Sequence, residues 1–394
     1  MAKKTANFRD ETRVTTLGRD PDANFGVVNP PVYHASTILY PTYESLKAYD
    51  YPATPYGRMG TPSTLALEAA FSELEGAHSC KLCPSGQAAI AIALLSVLAP
   101  GDHLLIVDSV YEPVRMFANS TLKRLGVDIA YYDPTIGAGI EDLMTDKTTV
   151  VFAESPGSLT FEVMDIPAIA EVAHRRGALV LFDNTWGTPL HFRAFDHGVD
   201  VSIHAMTKYV GGHADCMMGA INYTKEVAPR IEKTYRSMGI CVGPDDAYLT
   251  QRGLRTMSVR LKQHEAAGLE VSKWLQRRDE IARVLNPALP DDPGHALWKR
   301  DFAGANGLFG IEFKEGTEAQ LAAFCNALEL FGMGFSWGGY ESLIVPADLS
   351  TSRTATKDLP RGPLFRIHVG LEAPEDLISD LERGFAAYHK AGGS

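Results

Sequence analysis

The stretch VDVSIHAMTKYVGG, Val199–Gly212, decides how this chain is read. Its apolar first half has strand character and ends at Thr207 and Lys208, with Gly211 and Gly212 just behind. A lysine at the mouth of a buried strand is costly to desolvate. It either snorkels to water or has a pKa shifted for a purpose. Taken alone, Lys208 reads as a surface lysine after a strand. Its surroundings change that. The runs HLLIVD, TTVVFAE and ALVLFD repeat the short apolar pattern, and helix-like stretches such as EPVRMFANSTLKRLG and IPAIAEVAHRRG lie between them. Short apolar strands alternating with helices predict a mostly parallel α/β sheet covered by helices on both faces. Ligands bind such sheets outside the carboxyl ends of the strands, which singles out Asp108, Glu154, Asp183 and Lys208.

Further out, the texture changes on both sides. The lead-in to about Thr61 is rich in Pro, Tyr and Thr and shows little helical period, so it reads as an extended arm that needs something to dock on. After Tyr248 a long amphipathic stretch could bridge two domains. Mixed strands and helices follow and suggest a smaller α+β domain. The division expected is an arm over 1–60, a large domain over 61–250 and a small C-terminal domain over 251–394.

The composition narrows the functional classes. The chain has 394 residues and a formal net charge of −11, which argues against nucleic acid as the main partner. No run of about 20 apolar residues appears, so no membrane span is expected. The opening MAKKTANFRDETRV carries charge with no apolar run behind it, so no secretory signal is expected either. Five scattered cysteines suggest reduced thiols in a cytosol. The pair in Cys80-Lys81-Leu82-Cys83 lacks the second ligand pair that a zinc site needs. It reads as two packed small residues, and no metal is expected.

Asp183, in LFDNTWGTP, has two readings. It could cap the next turn through its own side chain. It could also be an anion held in the sheet mouth to pair with a buried cation. Lys208 stands at a strand end one crossover later. An amine and a carboxylate at neighbouring strand mouths suit pyridoxal phosphate, which needs a lysine for its Schiff base and an anion to keep its pyridine nitrogen protonated. PSGQAAIAIALL places Ser85, Gly86 and Gln87 at the opening of a helix, where an anion is favoured, and Thr207 can add a hydroxyl.

The segments YGRMGTPS, SVYEP, ESPGSLTFEVMDIPAIA, LFDNTWGTP, SIHAMTKYVGGHADCMMG, QRGLRTMSVRLKQH and SWGGYESL resemble, in that order along the chain, the Cys/Met-metabolism family of pyridoxal-phosphate enzymes, most of all its β-lyase branch. The resemblance implies a fold type I enzyme with an aspartate-aminotransferase-like large domain. It implies that Lys208 carries the cofactor as a Schiff base and then moves the α-proton. Asp183 would pair with the pyridine nitrogen and Tyr111 would stack on the ring. Ser85, Gly86, Gln87 and Thr207 would hold the phosphate. Ala205 stands where many relatives have serine, so one hydroxyl contact is absent. Arg366, in LFRIHVG, would clamp the substrate α-carboxylate, with Ser336 and Trp337 lining the substrate. Tyr56 and Arg58 would reach the active site of a neighbouring subunit in a cytoplasmic homotetramer built from dimers. Without the resemblance, Tyr56 reads as a packed arm aromatic and Arg58 as a solvated charge.

The family runs β-elimination, γ-elimination and γ-replacement on one scaffold, and fold alone does not choose among them. Trp337 and the wording ESPGS favour α,β-elimination of cystathionine or another S-substituted cysteine. The alternatives are a γ-acting relative or a regulatory protein that kept the fold. Met59 and Met116 depart from the β-lyase pattern, which has an arginine and an acidic residue there. Either the far end of the substrate site is less polar, or the two methionines are ordinary packing changes.

Overall fold

The computed structural model describes residues 8–50, 54–350, 352–356 and 358–393. Two sheets organise it. The first contains β1 (Ser79–Cys83), β2 (His103–Val107), β3 (Asp128–Tyr132), β4 (Thr148–Glu154), β5 (Leu179–Asp183), β6 (Val201–Ala205) and β7 (Gly219–Tyr223), in the spatial order β1-β7-β6-β5-β4-β2-β3. Only β7 runs against the others. All five residues of β2 are buried, as a strand covered on both faces requires. The helices Gly86–Val97 and Ile166–Arg175 pack against this sheet, and its core runs through Leu105, Val151, Leu181 and Ile203. The predicted large α/β unit is therefore present, with its strand mouths side by side: Ala205, Asp183, Glu154 and Asp108 follow one another along one edge.

The second sheet is antiparallel throughout. It contains β8 (Ile281–Leu285), β9 (Leu308–Phe313), β10 (Leu343–Ala347) and β11 (Leu364–His368), in the order β10-β11-β9-β8. The final helix Pro374–Ala391 packs its amphipathic face there through Leu377, Leu381 and Phe385.

A 32-residue helix, Pro244–Leu275, joins the two units. Its first half buries Leu254, Met257 and Leu261 beside the first unit, and its second half buries Ala267, Val271 and Leu275 in the core of the second. The boundary read at residue 250 therefore falls inside one continuous helix.

The lead-in divides into two parts. A helix forms over Asp10–Thr16, a segment read from the sequence as irregular. It is short and docks on its own chain: Val14 and Leu17 are buried, and Arg255 and Gln251 of the long helix donate to the carbonyls of Leu17 and Gly18 at 2.5 and 2.9 Å. Tertiary contacts fix this helix, since its own period is too brief to mark it. Beyond it the arm is mostly irregular, broken by a second short helix over Tyr43–Ala48 that the sequence reading also did not expect, with Phe25, Leu39 and Tyr49 exposed. Among the described residues, no helix is long and apolar enough to cross a membrane.

Candidate active site

Lys208 lies three residues past the end of β6, in the turn between Met206 and Gly211. Gly211 and Gly212 make that turn possible. Gly212 sits at φ +69°, and a Cβ there would lie 1.9 Å from the Arg260 guanidinium. The carbonyl of Gly211 in turn lies 2.1 Å from where a Cβ on Gly253 would be. The long helix presses on the turn and aims Lys208. Its amine donates to the Ser336 hydroxyl at 2.7 Å and lies 5.4 Å from the Trp337 ring. Burial lowers its pKa to about 8, assisted by Arg366 and opposed by Asp183 and Glu341.

Asp183 ends β5 and is buried. Its turn-capping reading holds. Its Oδ1 accepts from the backbone N–H and hydroxyl of Thr185 at 3.0 and 2.5 Å, which is the turn-capping role. The turn uses Oδ1 alone. Burial raises the Asp183 pKa, so the site favours a cationic partner for this carboxylate. Thr185 also accepts from the Ala205 N–H at 2.8 Å, which ties the mouths of β5 and β6 together. Sequence reasoning missed Thr185. Its signal was the hydroxyl two residues after an aspartate, a common turn pairing.

Arg366, on β11, reaches the same place from the second sheet. Its guanidinium donates to the Ser336 carbonyl at 3.1 Å, and burial lowers its pKa. Ser336 sits at φ +111°, an uncommon conformation for a residue with a Cβ. Gly338 allows this loop to lean on Lys208: a Cβ there would meet Lys208 backbone carbon at 3.0 Å. Tyr111 opens the helix Glu112–Phe117, half-exposed. Its pKa is raised by partial burial and then by the nearby carboxylates Asp183 and Glu154.

The phosphate-side residues also converge. Gly86 begins its helix so close to β6 that a Cβ would stand 2.5 Å from the Ala205 Cβ. Ser85 spends its hydroxyl on capping the Ala88 N–H at 3.1 Å, while Gly86 and Gln87 are first-turn positions whose N–H groups have no acceptor within the helix. The Oε1 of Gln87 is buried and unpaired. Thr207 Oγ1 accepts from Met218 N–H at 3.0 Å and lies 3.2 Å from the Met218 carbonyl. A glycine-lined helix opening, an amine and a buried carboxylate at one sheet edge are the donor set that pyridoxal phosphate requires, so the residues fit that cofactor.

A profile of the family described as "Cys/Met metabolism PLP-dependent enzyme" matches residues 11–386. The chain belongs to this family. Across the Cys/Met-metabolism family, it is 50% identical over 380 residues to a putative cystathionine beta-lyase of Rhizobium johnstonii, covering 95% of this chain and 96% of that one. It is 41% identical to the cystathionine beta-lyase of Salmonella typhimurium, covering 95% of this chain and 98% of that one. Among solved structures, it superposes on a cystathionine gamma synthase from Xanthomonas oryzae pv. oryzae, determined in complex with aminoacrylate and cysteine, with a TM-score of 0.90 and 29% identity. That match covers 97% of this chain and 99% of the other. The fold is thus that of a fold type I enzyme of this family, and the chain is pyridoxal-phosphate-dependent.

The remaining sequence candidates lie apart from this cluster or outside its contacts. Among the described residues, Tyr56 pairs with Thr37 in the arm, the Arg58 guanidinium lies 5.8 Å from the Tyr56 ring, and Arg58 passes Gly239 of the large unit. Met59 closes the same short turn, Gly57–Met59, and Met116 is exposed on the helix after Tyr111. Cys80 and Cys83 are free, buried thiols in β1, and burial pushes Cys83 up to about 12, which makes them inert packing.

Proposed function

We propose that this enzyme is a carbon–sulfur lyase that carries out α,β-elimination on cystathionine or another S-substituted cysteine. Water is consumed, and a thiol, pyruvate and ammonia are released. One observation carries the reading: Lys208 and Arg366 meet on opposite sides of Ser336, one at its hydroxyl and one at its carbonyl. A base and a carboxylate-binding cation are thereby held one residue apart in a largely buried site.

Arg366 binds the α-carboxylate and sets which face of the amino acid meets Lys208. Lys208 takes the α-proton at Nζ. Its pKa of about 8 keeps a useful fraction of the amine neutral near physiological pH. When bound, pyridoxal phosphate supplies the sink for the electron pair left at the α-carbon. Asp183 holds its ring nitrogen cationic, and the N–H groups of Gly86 and Gln87 with the Thr207 hydroxyl hold its phosphate. Tyr111 covers the ring, and Ser336 and Trp337 line the substrate.

The exposed arm carries Tyr56 and Arg58 into a neighbouring active site in a homotetramer built from dimers. Met59 and Met116 border the leaving-group end. The five free cysteines suit a cytoplasmic setting. The first unit forms the cofactor-binding domain and the second the small domain, with the long helix Pro244–Leu275 shared between them.

The test is product analysis on purified protein loaded with pyridoxal phosphate and given L-cystathionine. Pyruvate with homocysteine supports the reading. Release of 2-oxobutyrate with cysteine moves the enzyme to γ-elimination. Exchange of the α-proton with solvent and neither product removes elimination altogether.

A further inference from the structure

Glu154 ends β4, directly across the register from Asp183. The roles above leave it unused, yet it is well held. Its Oε2 accepts the Tyr111 backbone N–H at 2.7 Å, and its Oε1 accepts the Ser158 hydroxyl at 2.5 Å. The loop behind it clasps the segment before Tyr111: the Ser158 N–H donates to the Ser109 carbonyl at 2.8 Å, and a Cβ on Gly157 would stand 2.4 Å from the Ser109 hydroxyl. Arg353, between β10 and β11, closes the chain of contacts. Its Nη2 donates to the Ser158 carbonyl at 2.6 Å and to the Thr160 hydroxyl at 3.1 Å, and its Nη1 to the Asp108 carbonyl at 3.1 Å.

We propose that Glu154 is a positioning residue. It fixes the backbone of Tyr111, and Ser158 and Arg353 tie that bond to the segment of the second unit that leads into Arg366. Two groups from different sheets, the ring cover and the carboxylate clamp, are thus set relative to each other through one carboxyl group. Burial and the neighbouring Asp183 raise the Glu154 pKa to about 8, so the carboxyl is largely protonated near neutral pH, and its two short bonds, not its charge, carry the role. The inference rests on the reading of Tyr111 given above.

Amide hydrogen exchange at Tyr111 in the cofactor-free protein tests the network without reference to turnover. Glu154→Ala is expected to speed that exchange by up to about tenfold, the factor for losing one buried hydrogen bond. Glu154→Gln, which keeps an acceptor, is expected to restore most of the protection. Ser158→Ala removes a single hydroxyl and guards against misfolding of the Glu154 variants. It is expected to speed the exchange several-fold. In loaded enzyme, Glu154→Ala is expected to lower kcat by up to about 100-fold with KM nearly unchanged, because Arg366 still binds the carboxylate. Unchanged Tyr111 exchange in both Ser158→Ala and Glu154→Ala overturns the proposal. Faster exchange with kcat untouched supports the positioning of Tyr111 and instead removes its ring-covering role.

Discussion

Lys208 and Ser336 stand 128 positions apart in the chain, yet the lysine amine donates to the serine hydroxyl at 2.7 Å. The bond joins the edge of the parallel sheet to the unit built on the antiparallel one. It depends on an uncommon backbone conformation at Ser336, of the kind that concentrates at functional sites. The site exists only where the two units meet.

Lys208→Ala is expected to abolish pyruvate release while the fold persists, since the side chain lies at a site mouth and not in an apolar core. The same lysine sets a pH dependence in the cofactor-free protein. Its pKa of about 8 lies below the ordinary lysine value, so between those two values the unfolded chain binds more protons than the folded one. Stability is therefore expected to rise from pH 8 towards 10.5 by about 3 kcal/mol from this group, and to be lost again as the pH falls to 8. Denaturant titrations of native protein and Lys208→Met across that range check it: the variant should lose this increment.

Asp108 is the anchor of the segment that carries Arg353. Burial alone would raise its pKa, but the N–H groups of Thr354, Thr356 and Ala355 and the Thr356 hydroxyl hold it at about 2. Arg115 adds an ion pair at 2.5 Å. Asp108→Asn leaves Arg115 without its buried anion and is expected to cost about 3 kcal/mol. Denaturant unfolding should show this. Limited proteolysis should show new cleavage between 349 and 363. Unchanged stability would mean that the segment is held by other contacts.

Arg58→Ala and Lys208→Ala should each be inactive or impaired alone. Mixed under conditions of subunit exchange, they are expected to recover part of the native activity, because hybrid dimers contain one site with both groups intact. Exchange proven by mass spectrometry without recovery would place the action of Arg58 within its own chain.

Met59→Arg tests the leaving-group end. A charged partner for the distal carboxylate of cystathionine is worth roughly 2–5 kcal/mol when buried and far less at a wet rim. The native enzyme is expected to discriminate weakly between cystathionine and S-alkyl or S-aryl cysteines. Met59→Arg is expected to shift kcat/KM towards cystathionine. An overwhelming native preference for cystathionine that Met59→Arg leaves alone would reduce Met59 and Met116 to packing.

The sequence by itself determined the strands and what stands at their ends. Runs such as LLIV and LVLF are too continuously apolar to face water on either side, so a parallel sheet covered by helices follows, and Asp183 and Lys208 fall at its binding edge because chain order puts them at strand ends. The family motifs likewise lie in local windows. Tertiary structure decided the rest. The docked helix Asp10–Thr16 is too short to be marked by its own period and forms against Arg255 and Gln251. Glu154 showed its strand-end place in the sequence but not its bond to the Tyr111 N–H, which comes from a turn 43 positions earlier. Arg353, Asp108 and Ser158 meet across separations that no periodicity encodes. A strand end follows from local pattern, because burial alternates or persists residue by residue. A hydrogen bond between two strand mouths depends on how sheets, turns and a 32-residue helix stack, and that is a property of the packed chain alone.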